Sequence, residues 1–212
     1  MKKLLVCIAG SLFLYACNPT SSHRFIPKNG KWVLAFHTQN IEIPIQAEWE
    51  KDTLTIINGT ERIPYEIKYI HDSVKIPIPD YTAEISGRLT SDSTFEGAFI
   101  KLLEDNYSIP VYGTTGVWAR SATSTAVLYS KYEIEIDRKT QKAKAMGLFS
   151  HDNNRVTGSF ATETGDYRFL SGVIKQNKLH LTTFDGSHLF DFKALILGDS
   201  LVDGTFISGK TG

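Results

Sequence analysis

Phe184-Asp185-Gly186-Ser187-His188 sets a carboxylate, a hydroxyl and an imidazole side by side, the three groups of a serine hydrolase. That chemistry needs nucleophile, base and orienting acid to converge from separate segments. Neighbours on one tight turn do not line up that way, so hydrolysis is not expected and no catalytic residue is assigned. Asp185 and His188 with His180 would form an oxygen- and nitrogen-ligated metal site. His180 should face opposite Leu179 and Leu181, and His188 shares a face with Phe190 only if no bulge intervenes, so no metal is expected. The simpler expectation is that Asp185-Gly186 makes a turn and that Ser187 or His188 satisfies its backbone groups.

Glu163-Thr164-Gly165-Asp166-Tyr167-Arg168 is the richest polar run. Glu163, Asp166 and Arg168 could bind a polar ligand at a barrel mouth or dock a redox domain. With Tyr167, Asp185 and His188 they form the candidate polar ligand or docking cluster. The alternative is a hairpin in which Gly165-Asp166 makes the bend and Arg168 pairs with a nearby surface carboxylate. Trp32, Trp49, Trp118 and Tyr167 either line a cavity or fill a core, and packing is the expected role because aromatics fill the interior of small barrels. Glu133 and Glu135, alternating with Ile134 and Ile136, read as a solvated face.

Strands must position all of these groups. Val33 and Ala35, then Ile41, Ile43 and Ile45, alternate with polar neighbours, as do Val74, Ile76 and Ile78. Leu179 and Leu181, then Phe190, Phe192, Ala194 and Ile196, keep the same period of two. Such alternation marks half-buried antiparallel strands. Turn signals such as Asn58-Gly59, Asp72-Ser73, Asn153-Asn154 and Asp199-Ser200 punctuate it. No window has a helical period; residues 138–145 come nearest and fit a strand better.

The chain also repeats itself. Residues 92–99 match 199–206 at an offset of 107, and Trp49 and Asp52 fall on Phe149 and Asp152 at an offset of 100. The first half reads as eight strands, near 31–37, 41–49, 52–58, 60–70, 73–78, 81–90, 93–101 and 106–112. Eight strands close a small up-and-down barrel. The second half reads as seven, near 131–137, 142–150, 155–161, 166–175, 178–184, 188–197 and 200–208. The expected fold is all-β, an antiparallel up-and-down meander of two duplicated lipocalin- or avidin-like barrel halves, the second one strand short.

The N-terminus directs the chain elsewhere. Lys2 and Lys3 precede an apolar run from Leu4 to Tyr15 that is too short for a transmembrane helix. Leu14-Tyr15-Ala16-Cys17 resembles a lipobox, after which the cysteine is lipidated and becomes the first mature residue. The expected organisation is a signal peptide over 1–16, a lipidated tether over 17–29, a first half over 30–113, a linker over 114–129 and a second half over 130–212. The expected location is the cell envelope, anchored to a membrane through lipid, with the outer membrane favoured on its periplasmic or surface face. Loss of Lys2 and Lys3 moves the formal charge from 0 to −2, with 21 basic residues against 23 acidic. No basic stripe exists, so nucleic acid is not an expected partner. The only cysteines are Cys7 and Cys17, so the folded part supports neither disulfides nor thiolate catalysis.

Residues 156–172, 181–190 and 203–209, including Val156-Thr157-Gly158-Ser159-Phe160 and Asp203-Gly204-Thr205-Phe206-Ile207-Ser208-Gly209, resemble the amino-terminal region of TlpA-like, thioredoxin-fold lipoproteins of Bacteroidota envelopes. Trp32, the Asn58-Gly59 hairpin and the stretch from Ile85 to Phe99 resemble it more loosely. In that family the region precedes a thioredoxin-like domain with a redox Cys-X-X-Cys, which this sequence lacks together with the strand leading into it. The resemblance therefore implies an envelope origin and location and transfers no reductase activity; the chain is expected to be either a truncated relative or one that acts with a separately encoded thioredoxin-like envelope protein, and no cofactor is expected. The alternative function is a lipocalin-like carrier of a small apolar ligand. An aromatic-lined void of about 300 Å3 or more would favour the carrier, and a filled interior would favour a scaffold.

Overall fold

The computed structural model of the protein describes residues 25–38, 41–118, 126–137, 142–152 and 155–209. Cys17, the signal peptide and the tether up to residue 24 lie outside the described residues, as do the Asn153-Asn154 turn and 119–125 of the linker.

The first half forms β1 (Gly30–Thr38), β2 (Ile41–Glu50), β3 (Thr53–Asn58), β4 (Glu61–Glu66), β5 (Lys68–Ile70), β6 (Ser73–Ile78), β7 (Ala83–Ser91), β8 (Thr94–Lys101) and β9 (Ser108–Thr115). The second forms β10 (Lys131–Asp137), β11 (Lys142–Asp152), β12 (Arg155–Thr162), β13 (Gly165–Lys175), β14 (Lys178–Phe184), β15 (Leu189–Leu197) and β16 (Ser200–Ser208). Every pairing is antiparallel. The fold is an all-β meander of two sheets.

The first sheet runs in the order β4-β3-β2-β1-β9-β8-β7-β6-β5. Its two ends, β4 and β5, are arms of one bent strand separated by Ile67 alone, whose N–H donates to the Asp52 carbonyl at 2.7 Å. Counted that way, eight strands curl into a barrel. The second sheet runs β10 to β16 in sequence order, seven strands as read from the alternation. Two local details depart from expectation. A short 3-10 turn at Pro79–Tyr81 delays β7 to Ala83, because Pro79 starts the turn and Thr82 leaves it at φ 49°. β9 also ends at Thr115, two residues inside the expected linker.

Trp32, Leu34 and Phe36 of β1, Ile43, Ile45 and Trp49 of β2, and Phe95 and Phe99 of β8 fill the first barrel. Each fully buried side chain of this size contributes about 1.5–3 kcal/mol. Trp32 and Trp49 pack at 5.0 Å between ring centroids. Residues 25–29 are tied to this end: Lys28 N–H donates to the Asp92 carbonyl at 2.8 Å, and Trp32 Nε1 donates to the Lys28 carbonyl at 2.9 Å.

The opposite end is closed by the second half. Phe184 and Leu189, either side of the β14–β15 turn, are fully buried and belong to the first core. The Phe184 ring lies 4.8 Å from that of Phe36 and 5.1 Å from that of Phe99. On β14 and β15, Leu181 and Phe192 point into the second core, while Phe184 and Leu189 point out of it into the first. Strands covered on both faces carry apolar side chains on both.

Candidate functional site

The hairpin that closes the first barrel is stitched in place by polar contacts. Asn58, at the end of β3, is buried and joins the Phe184 backbone twice: its Nδ2 donates to the Phe184 carbonyl at 2.9 Å, and the Phe184 N–H donates to its Oδ1 at 3.2 Å. Thr182 Oγ1 donates to the Pro44 carbonyl at 2.7 Å, and the Tyr65 hydroxyl donates to the Asp185 carbonyl at 3.2 Å. Burial, then the Asp185 charge, pushes the Tyr65 phenol well above its usual value. Asp185 is also the first cause of the rise at Tyr81, ahead of burial.

Asp185 and His188 sit on the tip of this hairpin. Asp185 Oδ1 accepts the N–H groups of Ser187 (2.8 Å) and His188 (2.7 Å), and its Oδ2 lies 2.9 Å from His188 Nδ1. The turn is therefore capped by Asp185, reversing the expected roles of carboxylate and neighbours. In this network Ser187 engages Asp185 through its backbone, so the three groups of the apparent triad do not form a relay.

The other four candidate residues do not gather there. The bend falls at Glu163-Thr164, two residues before the expected Gly165-Asp166, with Gly165 already paired to Thr162 at the start of β13. Arg168 Nη2 reaches Asp166 Oδ2 at 2.8 Å on the exposed side of β13. Tyr167 turns inward, its ring 5.1 Å from Phe190 and 4.9 Å from Phe206. His188 stacks on Phe190 at 5.8 Å, so Phe190 is the link between Tyr167 and the hairpin tip. The six residues thus occupy a surface ion pair with its turn, an inward tyrosine and a turn cap. Phe169 follows in a bulge at φ 57° and swings into a groove of about 350 Å3 between the halves, opposite Asn58, Gly59 and Thr60.

A second constellation lies on the same face of β14 and β15, further from the tip. Asp191 is fully buried and shares a hydrogen bond with His180 Nε2. Lys193 Nζ lies 2.8 Å from the other carboxylate oxygen, an ion pair by distance without hydrogen-bond alignment. A buried carboxylate is costly unless a cation and hydrogen bonds offset its lost hydration. The Trp118 ring meets His180 edge-on at 5.0 Å, and the Trp118 N–H donates to Gln46 Oε1 at 3.0 Å. Gln46 Nε2 donates in turn to the Trp32 carbonyl at 2.7 Å, so the start of the linker is tied to the first barrel. Trp118, His180, Lys193, Lys175 and Lys178 line a groove of about 660 Å3.

His180 therefore pairs with Asp191, and Asp185 with His188, as two separate couples. Among the described residues no three His, Cys, Asp or Glu side chains are grouped to hold a metal ion. No known protein family, curated protein or solved structure matches the chain.

The Asp191 cluster was missed as a group, yet the turn encodes it. Folding the hairpin so that Phe184 faces Leu189 sets His180 opposite Lys193 and Thr182 opposite Asp191. A carboxylate, an imidazole and an ammonium on one face of neighbouring strands is then legible from spacing alone.

Proposed function

We propose that the protein is a non-enzymatic β-module, lipid-anchored in a bacterial envelope and accessory to, or derived from, a TlpA-like thiol–disulfide system. One observation carries the scaffold part of this reading: a hairpin of the second half occupies the mouth of the first barrel, whose interior is filled with side chains. A molecule built this way works through its outer faces and edges. A carrier of apolar ligands would need open interior space, and the groove beside Trp118 is the place to test that alternative. The redox association is supported by the sequence resemblance, and residues 18–212, which hold no cysteine, offer no thiolate for that chemistry themselves.

Four measurements test the reading. Cys17→Ser should move the protein from the membrane fraction to the soluble one or leave an unprocessed precursor, and mass spectrometry should find acyl chains only on Cys17. In-cell cross-linking should recover a thioredoxin-fold envelope protein, while the purified chain alone should not reduce insulin. Reduction of insulin in proportion to its concentration, or an unmodified Cys17 in mature protein, would overturn it.

A further inference from the structure

Asparagine followed by glycine is chemically labile, because the glycine nitrogen, unshielded by any side chain, can attack the asparagine side-chain carbonyl. The sequence holds two such pairs, Asn29-Gly30 and Asn58-Gly59. Asn29 is exposed where residues 25–29 meet the first barrel, and its Oδ1 accepts the Lys51 N–H at 3.0 Å. Asn58 lies at the opposite mouth, only 1% exposed, in the joint with the second half. The pairs share one chemistry and differ in cover.

Two structural demands put a labile pair at the joint. Gly59 takes φ 60°, and a Cβ there would stand 2.8 Å from Thr157 Cγ2, so the β3–β4 turn reaches β12 only with glycine. Beside it, the Phe184 peptide needs one side chain that both donates and accepts. A primary amide does both, whereas a carboxylate only accepts. The seated hairpin holds that amide in return. Asn58 Nδ2 donates to the Phe184 carbonyl and, at 3.2 Å, to Glu61 Oε2, while Oδ1 accepts the Phe184 N–H. Attack by Gly59 requires Asn58 Cγ to turn toward its own following nitrogen, and these three bonds oppose that turn.

We propose that Asn58-Gly59 is a deamidation site gated by the joint, preserved while the β14–β15 hairpin is seated and converted once the hairpin withdraws. The Gly59 nitrogen bonds to Asn58 Cγ, the Cγ–Nδ2 bond breaks, and ammonia leaves with the proton that Gly59 gave up. Water then opens the cyclic imide at either carbonyl, giving aspartate or isoaspartate. One water is consumed for each ammonia released, and no oxidant or reductant takes part. The product opposes reseating. Its carboxylate would face the Phe184 carbonyl and Glu61, two acceptors to which the amide donated, and leaving such groups unmatched at a buried joint is costly. Isoaspartate also lengthens the main chain beside Gly59. Withdrawal of the hairpin is thereby recorded in covalent structure. The proposal goes beyond the envelope reading and is independent of it.

The test follows Asn58 and Asn29 side by side in the full chain, incubated at mildly alkaline pH and then read by peptide mass spectrometry. Asn58 should convert about tenfold or more slowly in the folded chain than in the chain unfolded in guanidinium, since only locally opened molecules react. Phe184→Ala should bring Asn58 toward the unfolded rate and leave Asn29 unchanged. Thr182→Val removes only the hydrogen bond to the Pro44 carbonyl and should act in the same direction to a smaller extent. It decides the matter if Phe184→Ala unfolds the whole chain. Asn58→Asp, which carries the product's carboxylate, should speed amide exchange at Phe184 and Leu189 by about tenfold or more. The gating is overturned if Asn58 converts equally fast folded and unfolded, or fails to convert when unfolded. It is also overturned if neither variant changes its rate, or if Thr182→Val accelerates Asn29 as much as Asn58. Exchange like the parent's in Asn58→Asp would overturn the covalent record. None of these outcomes touches Cys17 or the redox association.

Discussion

The first half is a barrel closed through the Ile67 bend and stoppered at one mouth by the β14–β15 hairpin, while the second is a seven-stranded sheet whose outer strands, β10 and β16, have one strand neighbour each among the described residues. Both use the same strand order and similar strand lengths. Among the described residues the difference lies in one strand, and Phe206 of β16 and Ile134 and Ile136 of β10 are less covered than Phe99, Leu34 and Phe36, their counterparts in the first half. Closure is thus a cooperative property of the whole sheet. The half that is open nevertheless supplies Phe184 and Leu189 to the half that is closed, so the closed one depends on it.

The largest effect should come from breaking that dependence. Phe184→Ala removes a fully buried ring from the first core and should cost about 3–5 kcal/mol in denaturant unfolding, with faster amide exchange in β1 and β8. A loss under about 1 kcal/mol would show that the first barrel stands alone. Asn58→Ala leaves the Phe184 N–H and carbonyl buried without their partner and should cost about 1–3 kcal/mol. If Asn58→Ala and Phe184→Ala add without coupling in a double-mutant cycle, the two residues do not form one joint.

A smaller effect should appear with alkali. The Tyr65 phenol is raised in the folded protein, so it keeps its proton where the unfolded chain loses one. Stability from this source is complete below the unfolded value of 10.0 and is lost as pH rises past it. Tyr65→Phe should flatten that decline, and equal slopes for variant and parent would exclude Tyr65 as its source. Arg168→Ala should change stability by less than about 0.5 kcal/mol, since it breaks only a surface pair with Asp166. A larger loss would mean that the outer face of the open half is more tightly organised than its exposure implies.

The strand pattern was readable because alternation with period two survives wherever one face is wet. Ile43, Ile45 and Ala47 show it, and so do Leu179 and Leu181. The same rule hid the joint between the halves. Phe184 and Leu189 occupy positions that an isolated sheet would give to solvent, and only the companion sheet makes them core. Tyr167 and Arg168 looked like one polar cluster because they adjoin in sequence, yet strand geometry sends neighbours to opposite faces. The Asp185 turn cap misled in the opposite direction: groups that suggest catalysis when written in a line serve to satisfy one turn of backbone.

The single ladder holding β16 has a mechanical meaning. A pull entering through Lys28 reaches β1, which β2 and β9 grip from both sides over most of its length. A pull entering at Gly209 reaches a strand that, among the described residues, is gripped by β15 alone, through a register broken at Lys193 and Leu195. Load on the first path shears two ladders together, whereas load on the second peels one rung at a time. Stretched between its ends, the molecule yields from β16 inward and holds longest around β1.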